Sequence, residues 1–298
     1  MPCLMLGVPG NKERCMVELE VLLTDIVMGE SPRWNARDGR FCFADWGTRE
    51  IIALDATGNR EVILHEVGGP PLSFDWLPDG QLLVVAGREG RLLRLVNGSL
   101  VTHADLRPLA MTPWNEIVVD GRGNIYLNNT GFDFPGAEFA PGFIALVTPD
   151  GTVRQVAADI AFPNGMSVTP DNHTLIVAES YASRLTAFDI ADGGSLANRR
   201  IWAEILGAAP DGICLDAEGA VWYADVPNQR CVRVCEGGDV LQTIELDRGG
   251  FACMLGDAGR RTLYILANSW HGLTQMTGAE RSGQVLAVHV DVPGAGWP

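Results

Sequence analysis

Apolar positions along the chain fall in short runs cut by Asp-Gly, Pro-Asp-Gly and Gly-Gly turns. The runs RFCFADW, QLLVVAG, NIYLNNT, TLIVAES, AVWYADV and TLYILAN are rich in β-branched or aromatic residues. Bounded by turn formers, such runs predict strands with alternating faces. No segment keeps an apolar period of 3.6 residues over about twelve positions, so no amphipathic helix is predicted.

The turns ahead of these runs recur. Their aspartates are Asp38, Asp79, Asp120, Asp171, Asp216 and Asp257, with gaps of 41, 41, 51, 45 and 41 residues. A period a little over forty is that of a four-stranded propeller blade. Each unit reads as an inner strand, the turn, a second strand ending in small or polar residues, a third strand and a weaker fourth. The prediction is all-β: a six-bladed β-propeller with a central metal-binding channel. Residues 16–298 form the propeller, and residues 1–15 read as a loose N-terminal extension. Met16–Thr24, left over by the count, is expected to add to the last blade as an outer strand and close the ring, which removes an exposed edge. The longest gap holds NNTGFDFPGAEFAPG, a blade-three loop that either lines the channel mouth or is a plain surface insertion.

The inner strand of each blade lines the channel, so its leading residues converge on the axis. Blade one opens with Glu30, blade three with Asn115, blade four with Asn164 and blade five with Asp211. Blades two and six are small or apolar at that place. Taken singly, Glu30 is an ordinary strand-end acid, and Pro-Asn-Gly and Pro-Asp-Gly are ordinary turns. Taken together, four oxygen-bearing side chains share one phase of the repeat. Two carboxylates and two carboxamides converging in a channel repel each other and bear a heavy desolvation cost unless a cation sits among them. Hard oxygen donors suit Ca²⁺ first, with Mg²⁺ and Mn²⁺ as alternatives, and carboxylates also allow Zn²⁺. The histidines His65, His103, His173, His271 and His289 show no ligand spacing such as HxH or HExxH.

Composition narrows the partners. The 298 residues are 47% hydrophobic and 20% charged, ordinary for a soluble globular chain, and the formal net charge of −15 argues against nucleic-acid backbones and anionic membranes. Lys12 is the sole lysine, a bias of base composition and not of chemistry. Seven cysteines, an odd number without a CxxC, do not suggest a disulfide framework or a thiolate zinc site. Cys214 and Cys253 lie in apolar runs, as small hydrophobes do. The N-terminal MPCLMLGVPGNKERC lacks the basic start of a signal peptide, and no apolar run reaches the length of a membrane span. The expectation is a cytoplasmic monomer or small homo-oligomer acting on a small molecule.

Three separated stretches carry a family resemblance: GESPRW with DGRFCFADW, PNGMSVTPDNHTLIVAES with RLTAFDI, and PDGICLDAEGAVWYADVPNQRCVRV. In these the chain resembles the family of senescence marker protein (regucalcin), gluconolactonases and luciferin-regenerating enzymes, over about residues 16–292. The resemblance implies a six-bladed propeller with one divalent metal in the channel. It implies Glu30, Asn164 and Asp211 as ligands and Asn115 as a fourth channel residue near metal and substrate. It also implies lactone hydrolysis, with organophosphate cleavage in some related propellers. Pro113 stands where sugar lactonases often carry arginine, and Glu116 where they often carry aspartate. The aromatic blade-three loop, whose Asp133 is the acid placed to reach substrate, departs as well. These differences allow a less hydroxylated lactone or another ester.

The expected function is a metal-dependent hydrolase that opens a lactone ring. The cation would polarise the carbonyl, water would attack, and Asp211 would take its proton. Asn115, Glu116, Asp133 and Trp114 are the candidate substrate contacts. Trp34 and Trp114 are candidates for the pocket border, and Trp46, Trp76, Trp222 and Trp270 are expected to pack between blades. A serine hydrolase fits poorly, since Ser167 in GMSVTP lacks a closing glycine, and no nucleotide-binding loop appears. A non-enzymatic propeller that binds calcium or a protein partner stays open, because fold does not fix function.

Overall fold

The computed structural model describes residues 18–55, 57–65, 67–272 and 280–296. Its strands form six four-stranded antiparallel sheets. Five sheets take four consecutive strands each. The sixth completes itself with the N-terminal strand Glu20–Ile26, which pairs with Gly283–His289. Ring closure by an N-terminal outer strand is therefore as the count predicted, although the strand begins at Glu20. The expected loose extension at 1–15 lies outside the described residues. Among the described residues the one helical element is a 3₁₀ turn, Ser180–Ala182, and no helix is long and apolar enough to cross a membrane.

The repeated aspartates close the turns between first and second strands. Asp120 accepts from the Arg122 and Asn124 amides, Asp216 from Glu218 and Ala220, Asp79 from Gln81, Asp171 from His173 and Asp257 from Gly259. A short carboxylate reaching the amide two residues on mimics a backbone turn, which is why aspartate recurs there. Asp38 instead accepts from the Arg40 side chain.

The core lies between blades. In the second strand of blade one, Phe41 and Phe43 pack toward blade six while Cys42 and Ala44 pack toward blade two. In blade three, Ile117 and Val119 face blade two while Val118 faces blade four. Adjacent strand residues thus bury into different interfaces. The second strands are apolar at nearly every position, not at every other one, because a neighbouring blade removes each face from water. Trp222 is fully buried in this inter-blade core. Among the described residues five cysteines are free, and Cys42, Cys214, Cys231 and Cys253 are buried.

One irregularity aims the channel residues. In five blades the inner strand slips register near its start: directly after the opening pairs Trp114–Asn129, Pro163–Glu179 and Pro210–Asp225, and one pair later in blades one and six, whose opening pairs are Gly29–Asp45 and Gly249–Asn268. A bulge bends a strand and re-aims its side chains. The residue following that opening pair is Glu30, Asn115, Asn164, Asp211 and, in blade six, Gly250. Blade two pairs without a slip. The two blades without a polar channel residue are thus one with no bulge and one with no side chain.

Candidate metal and substrate site

Glu30, Asn115, Asn164 and Asp211 line a single cavity of about 580 Å³ at the end of the ring where the inner strands begin. The backbone there is crowded. A Cβ on Gly165 would come within 2.6 Å of the Asp211 carbonyl oxygen, and one on Gly212 within 2.4 Å of the Ala252 Cβ. Both glycines lie inside inner strands and not in turns. Pro-Asn-Gly and Pro-Asp-Gly are therefore close-approach motifs: glycine follows the channel residue because the next blade's strand leaves no room for a side chain. In blade one the residue after Glu30 is Ser31, held at φ 51°. Its hydroxyl donates to Glu116 Oε1 at 3.0 Å and accepts from the Phe74 amide at 3.3 Å.

In every blade but the second, the end of the second strand supports this crowding from behind. Asp45 accepts from the Val27 and Met28 amides ahead of Glu30. Asn129 donates to the Thr112 carbonyl. Glu179 accepts from the Ala161 amide, Asp225 from Ala209, and Asn268 donates to the Val27 carbonyl. Five buried polar residues at one register position thereby tie down loops that lead into inner strands.

The electrostatics of the floor leave negative charge uncompensated. Glu30 is buried and Asp211 half-buried, and Asp211 Oδ1, itself shut off from solvent, has no hydrogen-bond partner. Burial raises the Glu30 carboxyl well above the ordinary range, and the charges of Asp211 and Glu116 act in the same direction. Burial raises Asp211 likewise, with the Glu116 charge adding and Asn164 opposing. Asn115 Nδ2 stands 3.4 Å from both the Pro163 carbonyl and Asn164 Oδ1, the outer limit of a useful hydrogen bond. An orphaned buried carboxylate oxygen, a second carboxylate raised by it and two loosely held carboxamides fit a hard divalent cation.

Beneath the floor, Arg33 compensates other acids. Its Nη2 lies 3.1 Å from Glu116 Oε1, and its Nε lies 3.7 Å from Asp75 Oδ1. Burial raises Asp75 to about 6 despite Arg33, whose charge opposes the shift. The central channel therefore holds Glu30, Asp75, Glu116 and Asp211 against Arg33, a surplus of acid at its cavity end.

Several expected contacts lie elsewhere. Glu116 does not line the cavity; its carboxylate accepts from Ser31, Arg33 and the Ile117 amide. Trp114 is fully buried in the interface of blades two and three, edge-on to Phe143 with centroids 5.4 Å apart. The register slip between Trp114 and Ile117 breaks simple alternation, so Trp114 turns into the core toward blade two while Glu116 stays in the channel below the cavity. Trp34 stacks on Tyr264 between blades one and six, away from the cavity. The Asp133 side chain is 68% exposed and lies 3.7 Å from Arg88, with only its neighbours Phe134 and Pro135 on the wall. Trp46 and Trp270, expected only to pack, line the cavity, and the Trp46 indole donates to the Leu72 carbonyl at 2.7 Å. No histidine among the described residues lines it. The sequence reading missed Phe162, Tyr181 and Arg88 on the wall. Their one sequence signal was the aromatic blade-three loop, which meets Phe162 and Tyr181 across the cavity rim.

Comparison with known proteins bears on the family and the fold. The model of the SMP-30/Gluconolactonase/LRE-like region matches residues 28–269. The chain is 26% identical over 251 residues to regucalcin of Gallus gallus, covering 81% of this chain and 83% of that protein. It is 25% identical over 282 residues to 6-deoxy-6-sulfogluconolactonase of Pseudomonas putida, covering 91% and 94% respectively. A solved luciferin-regenerating enzyme superposes with a TM-score of 0.80 at 18% identity, over 93% of this chain and 97% of that one, which shows a shared fold. With four of its six inner strands delivering oxygen donors to one cavity, and most of its length matched, this chain belongs to the SMP-30/gluconolactonase/LRE-like family.

Proposed function

We propose that the chain hydrolyses a lactone, or a related carboxylic ester, at the floor of this cavity. A divalent cation held by Glu30, Asn115, Asn164 and Asp211 would assist, with calcium the first candidate. The observation that carries this reading is the buried Asp211 Oδ1, unpartnered beside Glu30 in the same cavity. The reaction class draws support from a relative that is itself named a lactonase. When bound, the cation supplies Lewis-acid polarisation of the substrate carbonyl.

The remaining roles belong to the chain. Glu30 and Asp211 supply negative charge that the buried floor leaves uncompensated. Asn164 and Asn115 add neutral oxygen donors, which keep the site from becoming more acidic. Asn115 Nδ2, bound only at 3.4 Å, is available to donate to a substrate oxygen. Asp211 takes the proton of the attacking water. Gly165 and Gly212 hold the inner strands close enough for these groups to share one floor.

The test is a proton-release assay over a lactone panel, with metal-stripped protein and with Ca²⁺, Mg²⁺, Mn²⁺ or Zn²⁺ restored. Activity lost with EDTA and regained with one divalent metal is the expected result. Full activity of metal-free protein overturns the metal role. Metal binding without turnover of any lactone or ester overturns the hydrolase reading in favour of a binding protein.

A further inference from the structure

The walls above the floor differ in kind from the floor. Pro113, two residues ahead of Asn115, lines the cavity, and Phe134, Phe162 and Tyr181 continue the wall on the side of blades three and four. Phe162 stacks on Tyr181 with centroids 4.7 Å apart and meets Phe134 edge-on, also at 4.7 Å. Phe132 packs behind all three, at 5.7 Å from Phe162, 6.0 Å from Phe134 and 6.3 Å from Tyr181. Phe162 sits at φ 57°, a conformation that a bulky residue adopts only when its surroundings enforce it. Those surroundings are on hand: the Ser180 amide donates to the Phe162 carbonyl and the Tyr181 amide to the Ala161 carbonyl. The aromatic wall is thus a built surface.

Several polar groups on these walls are committed, while among the described residues the Tyr181 hydroxyl and the Trp270 indole have no protein partner. The Ser180 hydroxyl donates to the Pro210 carbonyl at 2.7 Å, and the Thr130 hydroxyl to the Phe132 carbonyl at 2.8 Å. The Trp46 indole donates to Leu72. Arg88 lies at the rim, half exposed beside Asp133. A polyhydroxylated ring would therefore enter a chamber with few free donors. Each hydroxyl buried without a partner lowers kcat/KM by about tenfold. A hydrophobic substituent suffers no such loss and gains from contact with the aromatic faces.

Resting on the hydrolase reading above, we propose that this site selects a lactone whose ring carries a hydrophobic alkyl or aryl group, seated against Phe134, Phe162 and Tyr181, over a sugar lactone. The test measures kcat/KM of metal-loaded protein on glucono-δ-lactone, unsubstituted δ-valerolactone, δ-decalactone and dihydrocoumarin. The expected result is a preference of about a hundredfold or more for δ-decalactone or dihydrocoumarin over glucono-δ-lactone. Tyr181 is 46% exposed, so Tyr181→Ser is expected to fold. It should narrow the δ-decalactone to δ-valerolactone ratio about fivefold, chiefly through KM. Glucono-δ-lactone turned over as well as the apolar lactones overturns this inference and leaves the hydrolase reading standing. A δ-decalactone to δ-valerolactone ratio unchanged in Tyr181→Ser overturns the role of the wall. Turnover of none of the four overturns the hydrolase reading and this one with it.

Discussion

Asp211→Asn should stabilise the metal-free protein, the reverse of what a buried active-site substitution usually does. The wild-type floor holds two carboxylates, buried Glu30 and half-buried Asp211, each pushed up by desolvation and by neighbouring negative charge, with Asp211 Oδ1 unpartnered. Replacing one with an isosteric amide removes both the desolvation of that charge and its repulsion of Glu30. Such relief is on the order of 2 kcal/mol. For a chain of this length that corresponds to a rise in Tm of about 4 °C. The cation acts the other way on the wild type: at a hundredfold excess over Kd it adds about 2.7 kcal/mol. The two proteins should therefore exchange order, with the variant melting higher in EDTA and the wild type higher in calcium. The sign with pH follows. A carboxyl whose pKa is raised on folding binds more protons in the native state than in the unfolded one. Metal-free wild type accordingly loses stability as pH climbs from about 4 through the raised values, and the variant loses less. Differential scanning calorimetry from acid to neutral pH, with and without metal, reads all of this. A wild type more stable than Asp211→Asn in EDTA, or an equal calcium shift in both, would refute the reasoning.

Gly212→Ala drives a Cβ to 2.4 Å from the Ala252 Cβ and 2.7 Å from its Cα. It should cost about 1–3 kcal/mol in urea unfolding and weaken calcium binding by moving Asp211; unchanged stability and affinity would mean that the strands part freely. Glu179 is wholly buried and accepts from Arg184, Arg199, Thr186 and the Ala161 amide, which together hold its carboxyl below the ordinary range despite burial. Its contribution to stability is complete above the ordinary glutamate pKa and disappears as pH falls through the lowered one. Glu179→Gln should cost about 2–3 kcal/mol at neutral pH and flatten that acid limb in a pH series of denaturation midpoints. Asp133→Asn should leave kcat/KM within about twofold, since the side chain is exposed and its Arg88 contact is 3.7 Å; a tenfold loss would return Asp133 to the substrate.

The propeller was legible because its signals are local and repeated. Five of the six turn aspartates cap their own backbone, and six aspartate turns at a near-constant period reveal the blades without any knowledge of tertiary contacts. The four floor residues were legible for the same reason: each occupies one phase of the repeat. What could not be seen was which face of a strand a side chain takes once a bulge intervenes. Adjacency in sequence suggested that Trp114 and Glu116 share the pocket with Asn115, yet one fills an inter-blade core and the other answers Arg33 across the channel. The wall was hidden for a different reason. Phe162 and Tyr181 belong to blade four and Phe134 to a blade-three loop, so their ring contacts cross between units and leave no period to read.

Pro-Asn-Gly and Pro-Asp-Gly show how far composition misleads when the packing partner is unknown. Read alone, each motif is a turn, with glycine present for its left-handed freedom. In the structure both glycines lie in strands with no positive φ, and the space denied to a side chain is filled by the next blade. The glycine and the channel residue ahead of it are therefore one device. Close approach of neighbouring strands is what lets Asn164 and Asp211 reach a common point, and a residue with a Cβ would separate them. Blade one meets the same need differently: Ser31 adopts the left-handed region, and its hydroxyl ties Glu116 and the Phe74 amide to the strand that carries Glu30. Ser31→Gly should then keep the backbone path but release Glu116. The loss should fall on metal affinity more than on fold stability, and a titration of calcium against the variant measures it.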